Sequence, residues 1–338
     1  RFPIKNNMRV CIIGTGAISG VHASALKSIN AQIAAVCDVD AKKAYDFIRN
    51  NDIDCPVYED YKEMLLKTRP DAVHILTPHY LHAEMALFAL SENINVLSEK
   101  PVCINFDQLK ALLNAAKQSK AQYGVCFQNR YLSANRKAYD FVSKSKVFGA
   151  DGAVVWSRDA KYYASGEWRG KWATEGGGVL INQSIHTLDL MVHALGRPVK
   201  VSASIKNVHL RDVIEVEDSA ELLLYYPGFT AKFTATTAAK GSYPVVTNFY
   251  TDAGIAETRG DEFTLSGEKS GGDDAGHIGK AEWGAGHAML IEDYYSCLAA
   301  GKPVNCGIDG CVDTMLTVFA AYLSARRGQP VFLEELSL

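Results

Sequence analysis

Along the first 128 residues, short, largely apolar runs alternate with longer segments of helical period. Runs at 9–13, 32–37, 72–76 and 122–127 predict buried strands; Val57-Tyr58 is a short extended piece, and Val96-Leu97 begins another strand. Between them, 18–28, 42–50, 60–67 and 83–90 predict helices. Asn105, with Gln108 three positions on, has capping-box spacing at the start of a further helix. This repeated strand–helix–strand order predicts a parallel sheet covered by helices on both faces.

After Gln128 the pattern changes. A helix at 135–143 leads into strands at 153–157, 199–205, 219–225 and 230–237, whose loops carry Gly, Pro and Asp. One helix, 184–195, interrupts them, and two more, 286–300 and 312–326, close the chain. The expectation is an α/β chain of two domains: 1–128 with a doubly wound parallel sheet, and 129–338 as an α+β domain on a large, mostly antiparallel open sheet. The segment 266–282, rich in Gly, Asp, Lys and Ser, reads as a mobile loop.

A chain of 338 residues has room for two cores. Its 48% hydrophobic and 22% charged residues and net charge of −3 predict neither nucleic acid nor an anionic membrane as partner. No apolar run is read as a membrane span, 315–323 being too short, and residues 1–7 lack the apolar core of a secretory signal. Eight cysteines form no CxxC pair; Cys11, Cys37 and Cys126 sit in strand-like runs, as small hydrophobes in a reducing cytoplasm do. No His or Cys spacing suggests a metal.

The run Val10 to Gly20 is a strand, a glycine turn and a helix start, reading GxGxxS. Gly14 permits the tight turn, and Gly16 lets a pyrophosphate approach the backbone. Thr15, Ala17 and Ile18 complete a turn whose helix N-terminus offers free N–H groups to that phosphate. Asp38 ends the second strand 19 residues after Ser19, near the spacing expected of a carboxylate on the adenosine ribose. A carboxylate there repels a 2′-phosphate, so the expected cofactor is NAD rather than NADP. The competing reading of Asp38 is a strand-end residue that caps a turn.

Three further motifs carry a resemblance: Thr77-Pro78 with His82; Glu99-Lys100-Pro101; and the glycine run Gly176-Gly177-Gly178 leading through Asn182 to His186 and Asp189. With the fingerprint and Asp38, these resemble the Gfo/Idh/MocA oxidoreductases, and the match is spread over nearly the whole chain. The resemblance implies a Rossmann domain, then an α/β domain whose open sheet mediates homodimers or homotetramers, with the active site between them. It implies that Thr77, Pro78, His82, Glu99 and Lys100 belong to the cofactor side and that Lys100 is catalytic. The family commonly places an aspartate four residues before its histidine; here the pair is Asn182 and His186, a departure at the first position.

Alcohol oxidation needs a base to take the O–H proton as hydride leaves carbon. His186 suits this because imidazole titrates near neutrality. Lys100 can stabilise negative charge on the reacting oxygen, and its ammonium keeps a nearby imidazole neutral. Asn182 cannot be a base, but its amide can orient a substrate hydroxyl or the nicotinamide ribose. Taken singly, such a lysine reads as a solvated loop residue and such a histidine as a core residue. His193 is read as structural, and His79 as exposed.

Arg158, Tyr162, Tyr163, Trp168, Arg169 and Trp172 precede the glycine run. Aromatic faces pack against the C–H faces of sugar rings, and arginine clamps carboxylate or phosphate. The same residues also suit an aromatic-rich domain-interface loop. Gln128, Asn129 and Arg130 are placed at the edge of the cleft, with Tyr243 and His287 as weaker candidates. The leading expectation is a cytoplasmic, NAD-dependent dehydrogenase of a sugar, inositol or sugar derivative. A redox-neutral sugar-modifying enzyme that retains NAD, and a non-catalytic NAD-binding regulator, stand as alternatives.

Overall fold

In the computed structural model, which describes residues 8–272 and 285–337, the first half builds a sheet from β1 (Arg9–Ile13), β2 (Gln32–Cys37), β3 (Val57–Tyr58), β4 (Ala72–Ile75), β5 (Asn95–Glu99) and β6 (Tyr123–Cys126). The strands are all parallel, in the order β3-β2-β1-β4-β5-β6. Between them run α1 (Ser19–Ser28), α2 (Ala41–Asn50), α3 (Tyr61–Thr68), α4 (His79–Ser91) and α5 (Phe106–Gln118). The side chains of Asp40 and Asp60 cap α2 and α3 by accepting from Lys43 N and Glu63 N. Strand order reverses between β1 and β4, the switch point at which such sheets open a crevice beyond their carboxyl ends.

The rest of the chain contributes α6 (Ser133–Val142), β7 (Val147–Val155), α7 (Ala160–Ala164), α8 (Ile185–Leu195), β8 (Lys200–Lys206), β9 (Ser219–Tyr226) and β10 (Phe229–Thr236). Then follow β11 (Val246–Thr251), β12 (Gly254–Arg259), β13 (Glu262–Leu265), β14 (Glu268–Gly272), α9 (Gly286–Ala299), α10 (Val312–Arg327) and β15 (Val331–Phe332). Nine of these strands form one sheet, antiparallel except where β7 pairs with β10. Strand alternation buries Leu222, Leu224, Ala231, Phe233 and Phe249 on one face, against which α6, α8 and α10 pack. Gly152 is where α8 comes close: a Cβ there would lie 2.4 Å from Met191 Sδ.

By contact, the chain divides into two units. Among the described residues, the first takes in 8–103, 107–131 and 285–310, and the second 104–106, 132–272 and 311–337. Helix α9 therefore belongs with the parallel sheet, where Leu290, Ile291, Tyr294 and Tyr295 join Val10, Ile12 and Leu97 in one buried cluster.

Several expectations need correcting. β7 starts at Val147, six residues earlier than the apolar run at 153 suggests, and β11 to β14 were not read as strands. Their Thr, Asn, Glu and Gly content hides an alternation that only one buried face imposes. Part of the 266–282 loop is strand β14; 273–282 lies outside the described residues. α4 begins directly after Pro78, four residues before the predicted start, so His79 is buried rather than exposed. With the 3-10 turn before it, α10 forms a 20-residue helix, Ile308–Arg327, apolar enough by length and composition to cross a membrane. The shorter 315–323 run understated this. Of that window, 67% is buried inside the protein, where α10 packs on β8 and α8.

Candidate active site

Four loops of the first unit leave the carboxyl ends of neighbouring strands, in the order Asp38 after β2, Gly14 to Ile18 after β1, Thr77-Pro78 after β4 and Lys100 after β5. Gly14 has φ +91°, and its missing Cβ would meet the Leu76 carbonyl at 2.8 Å. A Cβ on Gly16 would meet nothing within 4 Å, so its surface is open to a phosphate. α1 has no side-chain cap and no acidic residue in its first turn; Ser19 N and Val21 N donate to the Gly16 and Ile18 carbonyls, and the positive end of the helix dipole still favours an anion there. These features fit a dinucleotide pyrophosphate. The Asp38 carboxylate accepts from Thr15 N at 2.9 Å and Thr15 Oγ1 at 2.8 Å, and from Asp40 N at 3.0 Å. It therefore braces the glycine turn, and any ribose hydroxyl must share its lone pairs.

Behind Lys100 lies a buried network that the sequence did not reveal. Glu99 points inward: Oε1 is 3.1 Å from His22 Nε2 and 3.1 Å from His287 Nε2, and Oε2 accepts from Lys100 N at 3.3 Å. His22 Nδ1 is 2.9 Å from His74 Nδ1, and His74 Nε2 is 2.9 Å from the Tyr295 hydroxyl. Burial pushes His22 and His74 below their ordinary values, so both are neutral. Burial alone would raise Glu99, but the bonds from His22 and His287 outweigh it and hold it well below the usual carboxylate range. A carboxylate only accepts, so every proton follows. Tyr295 O–H donates to His74, His74 Nδ1–H to His22, and both Nε2–H groups to Glu99.

Cys126 Sγ lies with His22 and Glu99 in a group whose ligand atoms fall within 4.8 Å of one another. Burial raises its thiol well above the usual value, which keeps it protonated, and the hydrogen bonds account for how the other two side chains point. His82 is buried between two loops, with Nδ1 2.7 Å from the Pro101 carbonyl and Nε2 2.7 Å from the Thr77 carbonyl. It thereby ties the Thr77-Pro78 loop to the segment that carries Lys100; the Lys100-Pro101 bond is cis.

In the second unit, the glycine run is packed rather than exposed. A Cβ on Gly178 would lie 1.9 Å from the Glu217 carbonyl oxygen. The Glu217 carboxylate accepts from Gly178 N at 2.9 Å, Leu180 N at 3.0 Å and the Tyr322 hydroxyl at 2.9 Å. Burial pushes it up to about 7 against those three donors. Asn182 Nδ2 donates to the buried Glu175, which also accepts from Gly170 N at 2.5 Å; this fixes which end of the amide is the acceptor. His186 stands in the first turn of α8, one turn beyond Asn182.

The aromatic and cationic residues do not form one group. Tyr162 lies between Arg158 and Arg169, with guanidinium-to-ring distances of 5.0 and 4.5 Å, and Arg169 also stacks on Trp168 at 4.4 Å. Tyr163 is buried with Leu210, Ile214 and Val216. Trp172 lines a separate apolar pocket of about 470 Å³ with Ile205, Phe319 and Tyr322. Of the weaker candidates, Tyr243 is exposed, whereas His287 is buried against Glu99. Arg130, in the 3-10 turn that also holds Gln128 and Asn129, donates to the Gly310 carbonyl at 2.9 Å. His193 stacks on Tyr139 at 4.5 Å.

Residues 8–127 match the family model described as "Oxidoreductase family, NAD-binding Rossmann fold", and 145–269 match the Gfo/Idh/MocA C-terminal domain. The chain belongs to the Gfo/Idh/MocA family. Among curated members, it is similar to D-glucoside 3-dehydrogenase of Escherichia coli (29% identical over 202 residues, 58% of this chain and 56% of that protein). It is also similar to inositol 2-dehydrogenase of Rubrobacter xylanophilus (29% over 189 residues, 53% and 50%). The chain thus spans about half the length of the curated relatives it matches. The fold is that of WlbA dehydrogenase from Bordetella pertussis in complex with NADH and UDP-GlcNAcA (TM-score 0.84, 22% identity, 96% of this chain and 98% of that one). Levoglucosan dehydrogenase in complex with NADH and levoglucosan shares it too (TM-score 0.84, 19% identity, 97% and 99%).

Within this Gfo/Idh/MocA chain, sequence reasoning missed His22, His74, Glu175 and Glu217 as site supports. A histidine inside the apolar strand Ala72–Ile75 was a usable signal, because a buried imidazole needs a partner. Nothing local pointed to Glu175 or Glu217, whose partners lie 5 to 7 and 37 to 105 residues away.

Proposed function

We propose that the chain is an NAD-dependent oxidoreductase acting between a secondary alcohol and a ketone carbon of a sugar, inositol or sugar derivative. The observation that carries this reading is the row of loops along one edge of the parallel sheet: Asp38, the glycine turn, Thr77-Pro78 and Lys100. When bound, NAD supplies hydride chemistry. Gly14 to Ile18 hold its pyrophosphate, Asp38 favours a ribose without a 2′-phosphate, and His82 sets the spacing of the two loops beside them.

Lys100 donates a hydrogen bond to the reacting oxygen and stabilises its negative charge. Its backbone N–H is bonded to Glu99, whose charge two imidazoles maintain, so the loop that carries it is braced from within. His186 takes the hydroxyl proton during oxidation and returns it during reduction. Asn182 cannot move a proton, and its amide, oriented by Glu175, positions a hydroxyl. Arg158, Trp168 and Arg169, gathered around Tyr162, are the substrate-side residues, whereas Tyr163 packs in the core and Trp172 lines a separate pocket. One face of the nine-stranded sheet exposes Leu223, Tyr250 and Ile255, which supports a homodimer or homotetramer that sedimentation would size.

The test is NADH formation from NAD⁺ with a panel of inositols, aldoses, uronic acids and anhydrosugars. Lys100→Ala and His186→Ala are each expected to lower kcat by about 10²-fold or more. Turnover unaffected by either substitution would overturn the assigned roles.

A further inference from the structure

Two cations of the second unit have no anion among the described residues. Arg158 lies over Trp156 at 5.1 Å and over Tyr162 at 5.0 Å, and its Nη1 donates to the Ser157 carbonyl at 2.8 Å. Arg169 is sandwiched between Tyr162 and Trp168, and its Nη1 donates to the Tyr162 hydroxyl at 2.6 Å. Among the described residues, no carboxylate is paired with either guanidinium. Asp159 caps α7 at Tyr162 N, and Glu175 bonds Asn182 and Gly170 N. A half-buried arginine normally regains its lost hydration from a carboxylate, and here nothing in the described chain provides one.

The second observation comes from the segment before α8. Gln183, next to Asn182, is 5% exposed, and its Nε2 donates to the same Tyr162 hydroxyl at 3.2 Å. Its Oε1 is buried and has no partner among the described residues, and neither has Arg158 Nε. Buried polar atoms without partners are rare in folded proteins, and two in one cluster mark a place where a ligand completes the bonding. The arrangement asks for two things at once: an anionic acceptor for the guanidiniums, and a donor such as a hydroxyl for Gln183.

We propose that Arg158, Arg169 and Gln183 form an anion subsite, and that the substrate is an acidic sugar whose carboxylate or phosphate lies against the two arginines while a hydroxyl donates to Gln183. This deepens the dehydrogenase reading and rests on it for the word substrate. The subsite is joined to the proposed catalytic segment by Gln183 to Tyr162 and Asn182 to Glu175, so bound acid is held close to the start of α8.

The experiment compares D-glucuronate, D-glucose 6-phosphate and D-glucose in two assays: NADH formation, and quenching of tryptophan fluorescence in the presence of NADH. Wild-type protein is expected to favour an acidic sugar over glucose at least tenfold in kcat/KM or in Kd, and the two acidic arms tell carboxylate from phosphate. Arg158→Met with Arg169→Met is expected to erase that preference, while NADH binding, read separately, shows that the variant is folded. Acid binding that depends on the arginines, without oxidation of any sugar, would uphold the subsite and overturn the dehydrogenase reading. Oxidation of glucose as fast as of either acid would do the reverse. Binding of none of the three, or an acid preference that survives both substitutions, would overturn the subsite.

Discussion

Gly14 and Gly16 are two positions apart and answer to different constraints. At Gly14, an alanine is strained by φ +91° and collides with the Leu76 carbonyl at 2.8 Å. Gly14→Ala is expected to lower stability by about 2 kcal/mol or more, seen as a fall in Tm without ligand. At Gly16, a methyl meets nothing within 4 Å. Gly16→Ala is expected to keep its Tm and to weaken NAD binding about tenfold or more, because the methyl occupies the phosphate's approach; fluorescence titration with NADH reads this. Glu217 makes a second prediction at this scale. Burial raises its folded pKa to about 7, above the ordinary 4.5. Its contribution is therefore complete below pH 4.5 and is lost as pH rises through 7, by about 3 kcal/mol in all. Thermal scans between pH 4.5 and 8 should show wild-type protein losing stability against Glu217→Gln across that window. Lys100 and His186 stood out as candidates in the sequence because motif and residue type coincide. The partners of Asn182 and Glu99 did not, because Glu175, His22 and His287 are assigned by tertiary packing.

At the scale of elements, one hydrogen-bond chain links α1, β4, β5 and α9 through His22, His74, Glu99, His287 and Tyr295. His22→Leu removes its centre, leaving a buried carboxylate and an imidazole short of partners. The expected cost is about 3–5 kcal/mol, and chemical denaturation would measure it. Burial depresses His22 and His74, so their contribution is present above pH 6.5 and is lost as pH falls below it, when the unfolded chain takes up protons that the folded one refuses. Glu99, held low, adds its own loss only at still lower pH. Tm is expected to decline from pH 6.5 downward, less steeply in a His22→Leu, His74→Leu double variant. The elements of the first sheet were legible because buried parallel strands are continuous apolar runs. β11 to β14 were not, since only alternate residues face the helices and the rest are polar.

For the whole molecule, sequence order and spatial order part company at α9. The first unit takes Tyr294 and Tyr295 into its core and His287 onto Glu99 from a helix that follows the entire nine-stranded sheet except β15. A fragment of residues 1–131 lacks that helix. It is expected to show helix and strand by circular dichroism without a cooperative thermal transition, and adding a separate 285–310 peptide should restore part of one. Change of texture along the chain marked where the first sheet ends. It could not show that a later helix returns, because α9 carries an apolar stripe that would suit either unit.

That return also sets a timetable for biosynthesis. Between residue 131 and residue 310 the ribosome adds roughly 180 residues, which at about 5–20 residues per second takes about 10–35 s. Through that interval the nascent nucleotide-binding half waits with Glu99 short of one of its two imidazoles and its apolar cluster without α9. Its maturation is therefore timed by synthesis of the downstream sheet, and its core closes only once α9 has been made.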